Sequence, residues 1–149
     1  MKRFHLIAIV FLAISTLLVP VRSAVAQELC VRVSRANLRA GPGTDHQKTW
    51  EVYQFMPFTQ IDKKGDWYKV RDVDGDEHWI FKNLVDPKLQ CVTIKAERAN
   101  IRKGPGTNYE MWFTVEKYTS FKKIGAEGKW VKVEYEGEVM WIFNSLTWP

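Results

Sequence analysis

The chain has 149 residues, with 22 basic and 17 acidic side chains and a formal net charge of +5. Three of the basic groups, Lys2, Arg3 and Arg22, sit in an apolar leader, and the remainder carries 19 basic against 17 acidic groups, a net +2. A nucleic-acid binder needs a concentrated basic face, so that class is set aside, and nothing beyond the leader is apolar enough to cross a bilayer.

The leader reads as a secretory signal. Lys2 and Arg3 give the basic start, residues 6–19 are nearly all apolar, and Ala24-Val25-Ala26 supplies the small residues that a signal peptidase needs. Cleavage after Ala26 makes Gln27 the new N-terminus and sets residues 1–26 apart from the fold. The apolar run falls short of the ~20 residues that span a bilayer comfortably, which speaks against an uncleaved anchor. Cys30 does not make a lipoprotein site, because Gln27-Glu28-Leu29 places no small residue beside it. The mature chain is expected to be exported and to have no membrane span.

Beyond the leader the chain repeats itself. Arg35-Ala36-Asn37-Leu38-Arg39-Ala40-Gly41-Pro42-Gly43-Thr44 returns as Arg98-Ala99-Asn100-Ile101-Arg102-Lys103-Gly104-Pro105-Gly106-Thr107, eight of ten positions being identical at an offset of 63. Gly65-Asp66-Trp67-Tyr68-Lys69-Val70 matches Gly128-Lys129-Trp130-Val131-Lys132-Val133. After a one-residue deletion, Trp79-Ile80-Phe81 matches Trp141-Ile142-Phe143. A unit of about 60 residues is too long for a solenoid repeat and suits a small complete domain. Two domains are expected, over residues 27–86 and 87–149, joined by a few residues around Asp86-Pro87-Lys88.

Each unit reads as short strands separated by turn chemistry. Gly41-Pro42-Gly43 and Gly104-Pro105-Gly106 suit type II turns, with the second glycine taking the positive angle. Gly65-Asp66 and Gly128-Lys129 mark a second turn, and Asp74-Gly75 and Glu136-Gly137 mark a hairpin. Between these turns Tyr68 and Val70 alternate with Trp67 and Lys69, and Val131 and Val133 repeat the inward pair. No helical period survives beyond the leader. Five or six short strands per unit hide their edges and core by curling up, so the fold class is all-β, with two tandem small barrels.

The two cysteines, Cys30 and Cys91, fall one in each unit, each opening a Val-rich run. A bridge within one unit is impossible. In an oxidising compartment they pair with each other, pair between molecules, or stay as buried thiols, and the sequence leaves these open.

At this point the motifs carry a resemblance. Arg-Ala-Asn-Leu-Arg-Ala-Gly-Pro-Gly-Thr (35–44), Gly-Asp-Trp-Tyr-Lys-Val-Arg (65–71), Asp74-Gly75 and Trp-Ile-Phe-Lys-Asn-Leu (79–84) resemble the bacterial SH3-like (SH3b) domain. The likeness covers about residues 29–86 and 90–147. His78 and Met140 stand where that family often has glycine. The resemblance implies SH3-like barrels that act as exported, non-catalytic binding modules in the periplasm or cell envelope, directed at peptidoglycan or its peptides. No cofactor is implied.

The residues themselves argue the same way. His46 and His78, the histidines beyond the leader, have no histidine counterpart in the other unit, both cysteines begin strands, and no separate catalytic domain fits beside the repeats, so the chain is not expected to be an enzyme. Asp72-Val73-Asp74-Gly75-Asp76-Glu77 fails as a calcium loop, having Glu77 where the turn glycine belongs and Asn83 where the bidentate acid belongs. It reads as a charged hairpin tip, and no metal site is expected. Asn37, Arg39, Asn100 and Arg102 are candidate groove residues whose other reading is structural, fixing a turn or capping carbonyls. The seven tryptophans are too many for two small barrels to bury. Trp67 and Trp130, out of phase with the inward residues, are expected to be the exposed pair, with Trp79 and Trp141 next, lining a ligand groove. A second expectation is an adaptor that docks onto a partner protein of the envelope.

Overall fold

The computed structural model describes residues 26–149; the expected signal segment falls almost wholly outside the described residues. The first sheet has seven strands: β1 (Gln27–Val31), β2 (Arg35–Arg39), β3 (Lys48–Tyr53), β4 (Pro57–Lys64), β5 (Trp67–Arg71), β6 (Glu77–Phe81) and β7 (Val85–Asp86). They run antiparallel in the order β3-β2-β6-β5-β4-β1-β7. The second sheet repeats the scheme with β8 (Cys91–Ile94), β9 (Arg98–Arg102), β10 (Met111–Glu116), β11 (Ser120–Glu127), β12 (Trp130–Tyr135), β13 (Glu138–Phe143) and β14 (Thr147–Trp148). The last strand of each sheet, only two residues long, exceeds the sequence expectation. It follows a single 3-10 turn (Lys82–Leu84 or Asn144–Leu146) that brings the chain back against β1 or β8. Two residues are too few to show a period.

All seven strands of the first sheet send apolar side chains into one cluster, which includes Leu29, Leu38, Val52, Phe58, Val70, Ile80 and Val85. The second cluster, around Val92, Ile94, Ile101, Phe121, Val133 and Ile142, repeats it, with Val115 of β10 packed against it and Leu146 of the 3-10 turn in place of the last strand. A sheet whose every strand reaches one cluster must curl around it, and each forms a small barrel with β3 and β7, or β10 and β14, at its ends. Bulges make the curl possible. The register slips between Gln60 and Asp62 in β4 and between Lys123 and Gly125 in β11. Each long strand thereby bends, pairing with β1 or β8 by its first half and with β5 or β12 by its second. The inward phase of β5 and β12 is as expected for Val70, Val131 and Val133, whereas Tyr68 is half-buried at the core's rim.

The hairpin tips differ. Glu136 and Gly137 both have positive φ (51° and 83°), as a two-residue type I′ connection requires. In the first barrel the longer loop is organised by Asp72, whose buried Oδ1 accepts the N–H groups of Asp74 (3.0 Å) and Asp76 (2.9 Å). The acidic run is thus a hairpin tip with its first carboxylate turned inward.

The two cysteines are not equivalent positions. Leu29 faces Phe58 as Val92 faces Phe121, so Cys30 corresponds to Thr93 and Cys91 to Glu28. The two Cys-Val runs, though alike in sequence, are thus offset by two residues in the shared register, which preserves their inside-outside phase. Both cysteines lie on the outer faces of their strands and are joined in a disulfide, with Cα atoms 6.1 Å apart. All of β8 is buried: Val92 and Ile94 face their own core, Cys91 meets Cys30, and Thr93 takes a hydrogen bond from Ser120 Oγ, which also lies 3.3 Å from Met56 Sδ. At the other end of the junction, Asp74 accepts hydrogen bonds from Lys117 Nζ (2.7 Å) and Tyr118 Oη (2.6 Å). The Tyr118 ring meets Trp50 edge-on, centroids 5.2 Å apart.

Two outcomes are expected. The bridge closes a loop across 61 sequence positions, and replacing Cys30 and Cys91 together by alanine should lower the unfolding free energy in a guanidinium titration by about 4 kcal/mol. The hydrogen bond from Lys117, and then that from Tyr118, holds the Asp74 carboxyl below its ordinary range. A depressed carboxyl stabilises the fold above its unfolded-state pKa and loses that contribution as the pH falls through the folded value. The Asp74 contact should therefore be intact above about pH 4 and dissolve below it, shifting the Trp50 indole N–H resonance in wild type and not in D74N.

Candidate functional site

On β2, Ala36 and Leu38 point into the core, which turns Arg35, Asn37 and Arg39 outward. Trp67 on β5 faces Phe81 on β6, and their rings meet edge-on with centroids 5.6 Å apart. These outward groups share one surface. Asn37, Arg39, Trp67 and Phe81, with Thr44 and Asp45 from the following loop, line a cavity of about 620 Å³. The loop is held by Arg39, whose Nη1 donates to the His46 carbonyl (2.8 Å). That bond uses one of five guanidinium donors and leaves others for the groove. Lys82 Nζ, 2.7 Å from Asp66 Oδ1, ties the turn before Trp67 to the residue after Phe81, and the Asp66 carboxylate raises the lysine's pKa.

The second barrel repeats this frame. Arg102 Nη1 donates to the carbonyls of Tyr109 (2.9 Å) and Thr107 (3.3 Å), and Trp130 meets Phe143 at 5.4 Å. Asn100 is exposed on β9 as Asn37 is on β2, so both asparagines stand in strands and fix no turn. The surroundings differ: Asn108 replaces Asp45, and Lys129 and Asn144 replace the Asp66–Lys82 ion pair.

Two expectations are corrected. The left-handed glycines are Gly65, Gly75, Gly128 and Gly137, so Gly43 and Gly106 lack the positive angle of a type II turn. Instead the N–H of Gly43 bonds the Gly41 carbonyl at 3.0 Å, as Gly106 bonds Gly104, giving three-residue turns centred on the prolines. The first glycine is needed because a ring lies over it: a Cβ on Gly41 would fall 2.5 Å from His46 Nδ1, and one on Gly104 would collide with the Tyr109 ring. Trp67 and Trp130 are not the exposed pair. They are half-buried against Phe81 and Phe143, and Trp112 is the exposed indole, at 42%. The expectation that some indoles stay at the surface holds, and none of the seven is fully buried.

Trp79 and Trp141 are not brought into the cavity. Trp79 stands opposite Arg39 and Lys69, and Trp141 opposite Arg102 and Lys132, with Lys132 Nζ 5.6 Å above its ring. Sequence reading missed Phe81 and Phe143 as groove partners, and it missed the rings over the glycines. The signal was present, since His46 and Tyr109 are planar side chains at the repeat offset of 63.

His78 also acquires partners that the sequence does not announce. Its Nδ1 lies 2.8 Å from Thr49 Oγ1 and its Nε2 3.3 Å from Asp72 Oδ2. A carboxylate only accepts, so in the neutral ring Nε2 carries the proton and Nδ1 accepts from the hydroxyl. The set braces β3 against the β5–β6 tip. Its counterparts in the second barrel are Trp112, Met140 and Tyr135, which cannot repeat it.

Gly41→Ala is expected to lower stability by about 1–3 kcal/mol through overpacking against the His46 ring. In a double-mutant cycle followed by thermal unfolding, G41A/H46A should recover most of that loss, because the clash is with the ring.

Comparison with known proteins agrees with this architecture. Residues 32–87 match one bacterial SH3 domain family and residues 97–147 another. The Bacillus subtilis protein YrvJ, named as an N-acetylmuramoyl-L-alanine amidase, is 23% identical over 155 residues, an alignment covering 95% of this chain and 30% of that protein. LytH of Staphylococcus epidermidis, named as a cell wall amidase, is 42% identical over 55 residues, covering 37% of this chain and 19% of its own. The chain thus spans a third or less of the length of these curated relatives. A crystal structure of an NlpC/P60 family protein from Bacillus cereus aligns over 81% of this chain and 55% of its own at 14% identity, with a TM-score of 0.39. The chain is similar to cell-wall-associated proteins, and with two such matches in tandem it belongs to the bacterial SH3 domain family.

Proposed function

We propose that the chain is a non-catalytic tandem binding protein of the cell envelope, exported by a signal over residues 1–26 and folded as modules 27–86 and 87–149. Its ligand is peptidoglycan or a peptide derived from it. The observation that carries the reading is the outward Asn-Arg-Trp face built twice on the same frame, with a cavity of about 620 Å³ in the first barrel. Arginine donors suit the carboxylates of wall peptides, and the Trp-Phe pair offers a flat apolar wall beside them. Two such faces in one rigidly joined molecule raise weak single-site affinity when both engage one polymer. The relatives' names, which are those of wall amidases, support the ligand class. As for catalysis, the Thr49–His78–Asp72 set is committed to bracing a hairpin, its carboxylate already holding two backbone N–H groups.

The test is co-sedimentation with protein-free peptidoglycan sacculi at moderate salt. Saturable retention is expected, and Trp67→Ala or Trp130→Ala should each weaken it by roughly tenfold without unfolding the chain. Unchanged retention in the folded double variant would remove the groove assignment.

A second reading has one observation in its favour. β10 ends the second sheet and exposes Met111 (49%), Trp112 (42%) and Phe113 (37%) in a row. An apolar edge strand of this kind suits docking onto an envelope protein. Crosslinking in cells decides between them: a protein partner gives discrete adducts that W112A diminishes, whereas wall binding gives retention on sacculi.

A further inference from the structure

Between the barrels lies a second concavity of about 600 Å³, apart from both grooves. Its walls come from both modules: Trp50, Tyr53 and Phe55 from the first, Lys117, Tyr118 and Tyr135 from the second. Three of these rings are open to solvent, Tyr53 at 61%, Tyr135 at 50% and Tyr118 at 40%. We infer that this cleft is a carbohydrate site that takes a short run of neutral N-acetylated hexosamines; its place in the protein's work rests on the wall-binding reading.

Shape and size come first. The volume falls among those of small-molecule sites, about 300–1,000 Å³. Tyrosine joins an apolar face to a polar tip, which suits a pyranose ring with its C–H face and hydroxyl rim.

Charge then selects among ligands. The two charged side chains at the cleft are already neutralised. Glu51 pairs with Lys48 (3.1 Å) and Arg35 (3.6 Å), and Lys117 with Asp74 (2.7 Å). No unpaired charge remains to draw in an ionic stem peptide, in contrast to the arginine-lined groove. A neutral sugar chain has no charge to desolvate on entering.

Backbone geometry adds an independent observation. Phe55 (φ 67°) and Tyr118 (φ 69°) occupy equivalent left-handed positions, each N–H tied to a strand carbonyl, Val31 or Ile94. Glycine would take that angle without strain, yet both barrels carry an aromatic ring there, and both rings line the cleft. The disulfide and the Asp74 hydrogen bonds fix the separation of the walls, so the cleft exists before any ligand arrives.

The probe is the β-1,4-linked N-acetylglucosamine tetramer, titrated into the oxidised protein and followed by calorimetry and by the indole N–H resonance of Trp50. Saturable binding that shifts this resonance is expected, and Tyr53→Ala and Tyr135→Ala should each weaken it about three- to tenfold. Both rings are exposed, and thermal unfolding verifies that each variant is folded. Absence of binding at millimolar tetramer overturns the proposal, as does binding that both variants retain. A shift of Trp50 by a wall peptide and not by the sugar also overturns it, in favour of a peptide cleft. Retention on sacculi that depends on Trp67 and Trp130 survives any of these results, so failure of the cleft and failure of the grooves are seen separately.

Discussion

The bond between Cys30 and Cys91 joins the outer faces of β1 and β8, and the geometry between the barrels depends on it. A barrel of about 60 residues buries a smaller share of its surface than a larger domain does and is correspondingly marginal. Covalent closure relieves this in two ways. It removes loop entropy from the unfolded chain, and it holds β8 where the first barrel covers its outer face. Every residue of that strand is buried as a result, although half of them point away from their own core. Asp74, Lys117 and Tyr118 then close the other end of the junction.

Duplication gave this protein one frame twice and left the outward residues free to diverge. The shared parts are those that backbone geometry imposes: the bulge in β4 and β11, the arginine that holds the Gly-Pro-Gly loop, the left-handed residue before each long strand. The divergent parts are side chains that meet a partner in only one barrel. Trp50 is covered by Tyr118, while its counterpart Phe113 is exposed on an edge strand. Thr49, His78 and Asp72 form a hydrogen-bonded set that Trp112, Met140 and Tyr135 cannot form. Division of labour between two similar barrels needs no more than this.

Part of the candidate groove's geometry was legible before the structure. Asn37, Arg39 and Trp67 do line one cavity, because strand alternation fixes which side chains point outward. Trp79 shares that alternation and still lies outside the cavity, since phase gives the face of the sheet and not the position across it. The tryptophan count predicted correctly that indoles would remain at the surface, yet strand phase misjudged which ones: Trp67 and Trp130 rest against phenylalanines on the paired strand, whereas Trp112 has its exposed chain neighbour Phe113 beside it. The Gly-Pro-Gly loops show the same limit. Their glycines were recognised, but the cause is a ring folded over the backbone and not a left-handed angle.

The sequence by itself determined the strand pattern, the turns and the duplication, because period-two alternation and turn glycines are local properties that each segment carries wherever it sits. It left three states open for the cysteines, because pairing depends on which outer faces meet. Only the tertiary structure decided which outward faces meet. Asp74 and Lys117 lie 43 positions apart, and Thr49 and His78 lie 29 apart. Such pairs form through the curl of a sheet or the docking of one barrel on another, which no local pattern encodes.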